Sequence, residues 1–288
     1  MVDANVGPDR PLPIDESIQV SFDRFLNPLT VSRQSIALRD EFNQAPVNPT
    51  VTYDPVRRVA TLSNPSPDGK PWLTAGLPYK IIVSRTVTAD DLSLRTLEGG
   101  GVEKTVIIGF FATAARGRPA APATSFCRDV LPVLQGACGS CHGDDPKKAW
   151  AGLRLASPDG VKDTAIGKVA IETAVSGRAV PSPPGPKFGQ NVPIVDPGNP
   201  GNSYLLYKLL LGSAANATPR TACGGAPIVV PKWDVATLPR DWEDERSRLA
   251  DVIPGRGMPL AGGVAEEELD RIRQWIAEGA TVDACSCR

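Results

Sequence analysis

Short segments in which apolar and polar residues alternate dominate the first 113 positions. The alternating segments are Ile18–Phe22, Ser35–Arg39, Val51–Tyr53, Arg58–Leu62, Tyr79–Val83 and Val106–Phe111. A period of two predicts half-buried β-strands, and turn pairs such as Asn48-Pro49 and Asn64-Pro65 separate them. About seven short strands in about 100 residues predict a two-sheet, all-β sandwich over residues 1–113.

After residue 124 the apolar positions follow a helical period instead. Phe126, Val130 and Leu134 lie four residues apart and share one helix face. Near the other end, segment 266–279 combines an apolar face with an acidic first turn and a terminal glycine, which is typical of an amphipathic helix. We therefore predict a mainly α-helical domain over residues 125–288.

Segment 114–124 is rich in small residues and proline and has no apolar periodicity, which indicates a linker between the two domains. Within the helical domain, residues 196–210 predict a loop that leads into a helix. We expect long loop inserts at the Pro-rich run 181–186 and the stretch 212–240. The Pro-rich run is expected to form an ordered loop, and a binding motif for a partner is the alternative.

Composition and charge exclude several classes of protein. The chain contains 29 prolines in 288 residues, a proportion that favours strands, turns and ordered loops. Its 31 basic and 32 acidic residues leave a net charge of −1, so nucleic acid is not expected as a partner.

No apolar run is long enough for a transmembrane segment. The N-terminus as given lacks a signal-peptide pattern, so we expect it to be mature, truncated or miscalled.

The single histidine of the chain stands in the motif Cys138-Gly139-Ser140-Cys141-His142, which is the attachment pattern of c-type haem. In that chemistry two thiols add across the two vinyl groups of haem, and the neighbouring imidazole reaches the iron. A disulfide redox pair would call for a surrounding βαβ pattern, which is absent. A zinc site would call for a second nearby Cys or His pair. We predict one covalent haem c, bound through Cys138 and Cys141 with His142 as an iron ligand.

The Met-Pro loop upstream of the last helix resembles the distal-ligand loop of class I cytochrome c, and this resemblance implies that Met258, the only methionine besides Met1, is the second iron ligand. It lies in the loop Arg256-Gly257-Met258-Pro259, where a buried packing methionine is less expected than in a helix. Met/His ligation holds iron through a soft sulfur and raises the reduction potential. Trp150, Arg154, Lys168 and Arg256 are weaker candidates for contacts with the haem propionates, and each is more simply an ordinary surface or packing residue.

Three pieces of the first domain resemble the bacterial Ig-like domains that occur as modules in envelope proteins. These pieces are the strand and turn over residues 18–29, the corner Leu73–Ile81, and the final strand ending Phe110–Thr113. The resemblance covers nearly all of residues 8–113. It implies an Ig-like sandwich that serves as a spacer or adhesion-like module without chemistry of its own.

The second domain resembles class I cytochrome c over residues 125–288. The resemblance is carried by the haem motif, the Met-Pro loop upstream of a last helix, and the paired first and last helices. His142 and Met258 are 116 positions apart, which is more than in compact members and is similar to the large-insert cytochrome c modules of bacterial multidomain proteins.

This resemblance implies a monohaem electron carrier that exchanges electrons with redox partner proteins and has no catalytic residues. The alternatives are a peroxidase-like haem enzyme with a labile distal site, and a haem-containing binding or scaffold protein. Covalent haem attachment and Ig-like modules both imply a periplasmic, outer-membrane-associated or extracellular protein. Any envelope association would be peripheral or through a lipid anchor.

Four further cysteines, Cys127, Cys223, Cys285 and Cys287, allow three complete disulfide pairings. An oxidising compartment favours disulfides over free thiols. Because Cys285 and Cys287 are only two positions apart, we expect each to pair with one of the other two cysteines.

Overall fold

The computed structural model describes residues 2–66, 68, 70–88, 91–115, 117, 123–174, 188–212, 219–220, 241–283 and 285. These residues fall in two compact units, within residues 1–121 and 122–288. The Pro-rich run 181–186, most of the stretch 212–240, most of the linker, and the predicted disulfide partners Cys223 and Cys287 lie outside the described residues.

The described part of the first unit contains nine strands. They are β1 Val2–Ala4, β2 Leu12–Pro13, β3 Ile18–Phe22, β4 Ile36–Asp40, β5 Pro46–Val47, β6 Thr50–Asp54, β7 Val59–Ser63, β8 Pro78–Val83 and β9 Val106–Thr113. One sheet has the order β1-β3-β7-β6 and the other the order β2-β9-β8-β4-β5. Neighbouring strands pair antiparallel, except β2 and β9, which are parallel.

One hydrophobic core joins the two sheets of this unit. Val20 and Leu62 come from the first sheet, and Leu38, Ile81 and Phe110 come from the second. Alternation along each strand places these residues on the inner face and their neighbours on the outer face. The prediction of two β-sheets is confirmed, and six predicted strands lie within two residues of their observed bounds. The strands β1, β2 and β5 are two or three residues long, too short to show an alternating pattern.

The second unit is built from helices and short turns. A π-helical turn, Phe126–Val130, leads into α1 Leu131–Cys138, and the further helices are α2 Pro158–Thr164, α3 Tyr204–Gly212, α4 Trp242–Ala250 and α5 Glu266–Ala277. Single 3-10 turns lie at Trp150–Gly152, Ile171–Thr173 and Pro200–Asn202.

The first and last helical segments of this unit pack on each other through aromatic rings. Phe126 and Trp275 are both buried, with ring centroids 5.2 Å apart. The Trp275 indole nitrogen donates a hydrogen bond to the Thr281 carbonyl at 2.8 Å, so the residues after α5 fold back against the helix. A disulfide between Cys127 and Cys285 joins the same two ends. This bond is one of the pairings expected from the sequence.

Candidate cofactor-binding site

A cavity of about 560 Å³ lies within the second unit, and it is lined by the four residues predicted to attach haem or bind its iron. Cys138, Cys141 and His142 come from the end of α1, and Met258 comes from the loop before α5. The cavity therefore brings together residues that are 116 positions apart in the chain.

The attachment motif forms a tight turn at the end of α1. Cys138 is the last residue of the helix, and its carbonyl accepts hydrogen bonds from the backbone N–H groups of Cys141 at 3.1 Å and His142 at 2.8 Å. The following segment folds back over this turn, because Trp150 N–H donates to the Cys141 carbonyl and Leu155 N–H donates to the His142 carbonyl. Both cysteines and the histidine are thus fixed from their backbones.

The side chains of the motif differ in their surroundings. Cys138 is buried, and burial raises the pKa of its thiol to about 11, with the positive charge of Arg220 acting in the opposite direction. Cys138 and Cys141 are both free thiols, whereas Cys127 is disulfide-bonded. Two thiols held at one cavity wall without a bond between them are available for covalent attachment.

His142 is held in its neutral form. Burial lowers the pKa of its imidazole, and hydrogen-bond interactions with the backbone of Leu153 and Trp150 oppose this only in part. Its Nδ1 atom is buried and makes no hydrogen bond of regular geometry within the described residues. A neutral imidazole keeps a lone pair on one ring nitrogen, which is the form that binds a metal.

The loop Pro254–Met258, called the Met loop below, lies directly on α3. Met258 N–H donates a hydrogen bond to the Lys208 carbonyl at 2.8 Å. The contact is so close that a Cβ added to Gly212 would lie 2.1 Å from the Met258 carbonyl oxygen. Glycine at position 212 is therefore what allows the helix end and the Met loop to touch.

A polar cluster of Glu172, Tyr204 and Lys208 forms one part of the cavity wall. Lys208 Nζ lies 2.9 Å from a Glu172 carboxylate oxygen, and the Tyr204 hydroxyl donates to the same oxygen. Burial raises the pKa of Tyr204, and the Glu172 carboxylate raises it further, so the phenol stays protonated. Lys208 also donates to the carbonyl of Pro254. The Tyr204 hydroxyl lies within hydrogen-bond distance of that carbonyl as well, so its single proton is shared between the two acceptors.

The remaining wall is apolar and partly open to solvent. Trp150, Val169, Ile171 and Leu260 all line the cavity and are 44–56% exposed. They are the large exposed hydrophobic residues of the second unit's described part. In a soluble domain, exposed apolar side chains gathered at one place mark a surface that another apolar group covers.

One of the four weaker candidates for propionate contacts lies at the cavity, and the other three do not. Trp150 lines the cavity, whereas Arg154, Lys168 and Arg256 do not. Arg154 pairs instead with Asp163 at 2.7 Å.

Sequence reasoning missed the polar cluster of Glu172, Tyr204 and Lys208. One available signal was a lysine within the otherwise apolar segment Tyr204–Leu211, because a charged residue among buried ones needs a partner.

The described residues contain no group of three or more His, Cys, Asp or Glu side chains that could hold a metal ion. In the part of the chain that the structure describes, every helix is too short or too polar to cross a lipid bilayer.

Comparison with known proteins adds little. No family model matches this chain, and no curated protein matches it. Among solved structures, the chain is similar to one described as the N-terminal part of the bacterial S-layer protein SbsC, with 18% identity and a TM-score of 0.26. The match covers 41% of this chain and 24% of that chain, so this chain spans well under half the length of its structural neighbour. A likeness this weak supports no argument about fold or function.

Proposed function

We propose that the second unit is a cytochrome c-like electron carrier. One haem c is attached through Cys138 and Cys141, with His142 and Met258 as its axial ligands. A single observation carries the proposal: the only histidine and the only internal methionine line one cavity together with both cysteines of the attachment motif.

The residues present fit such a group in three respects. The cavity volume lies within the range of cofactor sites, roughly 300–1,000 Å³. The exposed apolar residues at its wall, Trp150, Val169, Ile171 and Leu260, match a large flat apolar ligand that would cover them. Buried, neutral His142 supplies a nitrogen ligand, and Met258 supplies a soft sulfur.

Bound at this site, haem iron would supply one-electron redox chemistry. The chain's own residues His142 and Met258 would hold the iron, so that no substrate needs to bind it, as suits an electron carrier. A dihaem peroxidase-type enzyme would need a second haem attachment motif, and the sequence has only one. This favours electron transfer over a haem enzyme.

The first unit is proposed to be an Ig-like spacer or adhesion-like module. If β1, β3, β4, β6, β7, β8 and β9 are lettered A to G in chain order, the two sheets have the orders A-B-E-D and C-F-G of the immunoglobulin fold. The Tyr79 hydroxyl near the start of β8 accepts a hydrogen bond from the Thr74 backbone N–H at 2.9 Å. This contact matches the tyrosine corner of that fold.

We propose a location outside the cytoplasm, in the periplasm, at the outer membrane or beyond the cell. The Cys127–Cys285 disulfide supports an oxidising compartment. Redox partner proteins would meet the carrier there, and nothing in the charge balance favours nucleic acid.

The visible spectrum of the purified full-length protein tests the function. The wild-type protein should show covalent haem and, when oxidised, the weak long-wavelength sulfur-to-iron charge-transfer band. Met258→Ala should abolish that band, lower the reduction potential and keep haem attached. Leu260→Ala is the matched control, because Leu260 lines the same cavity without a ligand atom. Absence of covalent haem in the wild type would refute the proposal, and rapid binding of carbon monoxide by the reduced wild type would favour the enzyme alternative.

A further inference from the structure

We propose that Glu172, Tyr204 and Lys208 are positioning residues that hold the Met loop on α3 and thereby set how readily Met258 leaves the iron. This inference rests on the proposed function, because it assumes that Met258 is a ligand. It assigns a role to the polar part of the cavity wall, which electron transfer alone does not require.

Both ends of the Met loop are bound to the same turn of α3. At its start, the Pro254 carbonyl accepts hydrogen bonds from the Tyr204 hydroxyl at 2.7 Å and from Lys208 Nζ at 3.1 Å. At its end, Met258 N–H donates to the Lys208 carbonyl at 2.8 Å. Residues four apart on a helix lie on one face, so Tyr204 and Lys208 together form a single anchor for the loop.

Glu172 links this anchor to a second element of the cavity wall. It lies in the 3-10 turn Ile171–Thr173, where its carboxylate accepts a hydrogen bond from Lys208 and shares the single proton of the Tyr204 hydroxyl with the Pro254 carbonyl. It also lies close to the second residue of the Met loop, because a Cβ added to Gly255 would lie 2.1 Å from a Glu172 carboxylate oxygen. Glu172 therefore packs near the start of a loop that α3 binds at both ends.

The cluster is expected to act as a unit. The Lys208 side chain is 8% exposed, and a buried ammonium group is costly unless its hydrogen-bond partners remain in place. If one of the three side chains is removed, the other two lose a hydrogen-bond partner and are no longer fully paired. Loss of the Tyr204 hydroxyl should therefore loosen the Met loop even though the ring remains.

The test compares two buried tyrosines on α3. Tyr204→Phe removes the hydroxyl that binds the Met loop, whereas the control Tyr207→Phe removes a hydroxyl that donates to the Gly201 carbonyl, away from that loop. Carbon monoxide should bind the reduced Tyr204→Phe protein about two- to tenfold faster than wild type, because one hydrogen bond to the loop is lost. Tyr207→Phe should match wild type.

A second variant and a second measurement keep the test independent of one substitution. Glu172→Gln is at a partly exposed side chain and should also speed ligand binding. The double variant with Tyr204→Phe should increase the rate of carbon monoxide binding by less than the product of the two single-variant increases, since both residues belong to one cluster. Hydrogen exchange of the Met-loop amides in the haem-loaded protein should rise in both variants and not in Tyr207→Phe.

Two results would overturn the inference, and they can be told apart. If wild type shows the sulfur-to-iron band but Tyr204→Phe and Tyr207→Phe bind carbon monoxide at equal rates, the cluster does not control the loop. If wild type lacks the band, Met258 is not the ligand, and the ligand assignment in the proposed function fails together with this inference.

Discussion

Arg220 forms an ion pair with helix α5, and its replacement should destabilise the second unit. Its guanidinium lies 2.8 Å from a carboxylate oxygen of Glu268, which is 0% exposed near the start of α5. Removing one partner of a buried ion pair costs about 3–5 kcal/mol. The Arg220 side chain is 28% exposed, and Glu268 keeps hydrogen bonds from the backbone N–H groups of Arg220 and Ala265. We therefore expect Arg220→Met to lower the free energy of unfolding by about 2–3 kcal/mol.

Urea unfolding followed by helical circular dichroism measures this loss, because all the described α-helices lie in the second unit. The double variant Arg220→Met with Glu268→Gln should recover part of the stability, since no buried charge is left unpaired and the amide oxygen still accepts from one of the two backbone N–H groups. Arg248→Met is the control: its pair with Asp244 is largely exposed and should be worth less than about 1 kcal/mol. The reasoning is refuted if Arg220→Met costs no more than Arg248→Met.

Glycine 136 gives an independent check on the same contact. A Cβ added there would lie 2.9 Å from the side chain of Arg220, so α1 leaves room for the arginine stem. Gly136→Ala should raise the intrinsic helix propensity of α1 by about 1 kcal/mol and still destabilise the protein in the same urea assay. A net gain in stability would show that Arg220 does not need that space.

Three further predictions concern other parts of the chain. Replacing both Cys127 and Cys285 by serine should lower the free energy of unfolding by about 2–5 kcal/mol in urea, because the bond closes a long loop; an unchanged midpoint would contradict it. Tyr79→Phe should cost about 1 kcal/mol in the melting of the first unit, through the lost bond to Thr74, while the visible spectrum stays unchanged. Burial of Asp129 acts to raise the pKa of its carboxyl, but hydrogen bonds from its neighbours outweigh burial and hold that pKa below its usual range. The stability that the ionised carboxylate gives the folded protein should therefore be lost as pH falls below about 4. The free energy of unfolding of Asp129→Asn should depend less on pH than that of wild type.

Local sequence patterns predicted the strands, helices and motifs that interactions between neighbouring residues determine. The alternating segments became strands because side chains at every second position enter the shared core. Helix α5 runs from Glu266 to Ala277, inside the predicted segment, because its apolar face, acidic first turn and following glycine act over a few residues. The cavity residues Cys138, Cys141, His142 and Met258 were identifiable because rare residue types stand in recognisable local contexts.

Contacts between distant residues could not be predicted in the same way. Glu172 meets Lys208 across 36 positions, and Arg220 meets Glu268 across 48. Each is an ordinary charged residue in sequence, and only the packing of the second unit decides which opposite charge it finds. The parallel pairing of β2 with β9 could not be predicted from the sequence either, since a strand of two residues shows no alternating pattern.

The Cys127–Cys285 bond has a topological consequence. It closes a covalent ring through almost the whole second unit, and the haem motif and Met258 both lie within that ring. A single peptide-bond cut anywhere between the two cysteines opens the ring without dividing the molecule. After such a cut, the piece carrying His142 and the piece carrying Met258 would still travel together on a non-reducing gel. A cut of the chain between His142 and Met258 would therefore leave these two proposed haem ligands on one covalently linked molecule until a reductant arrives.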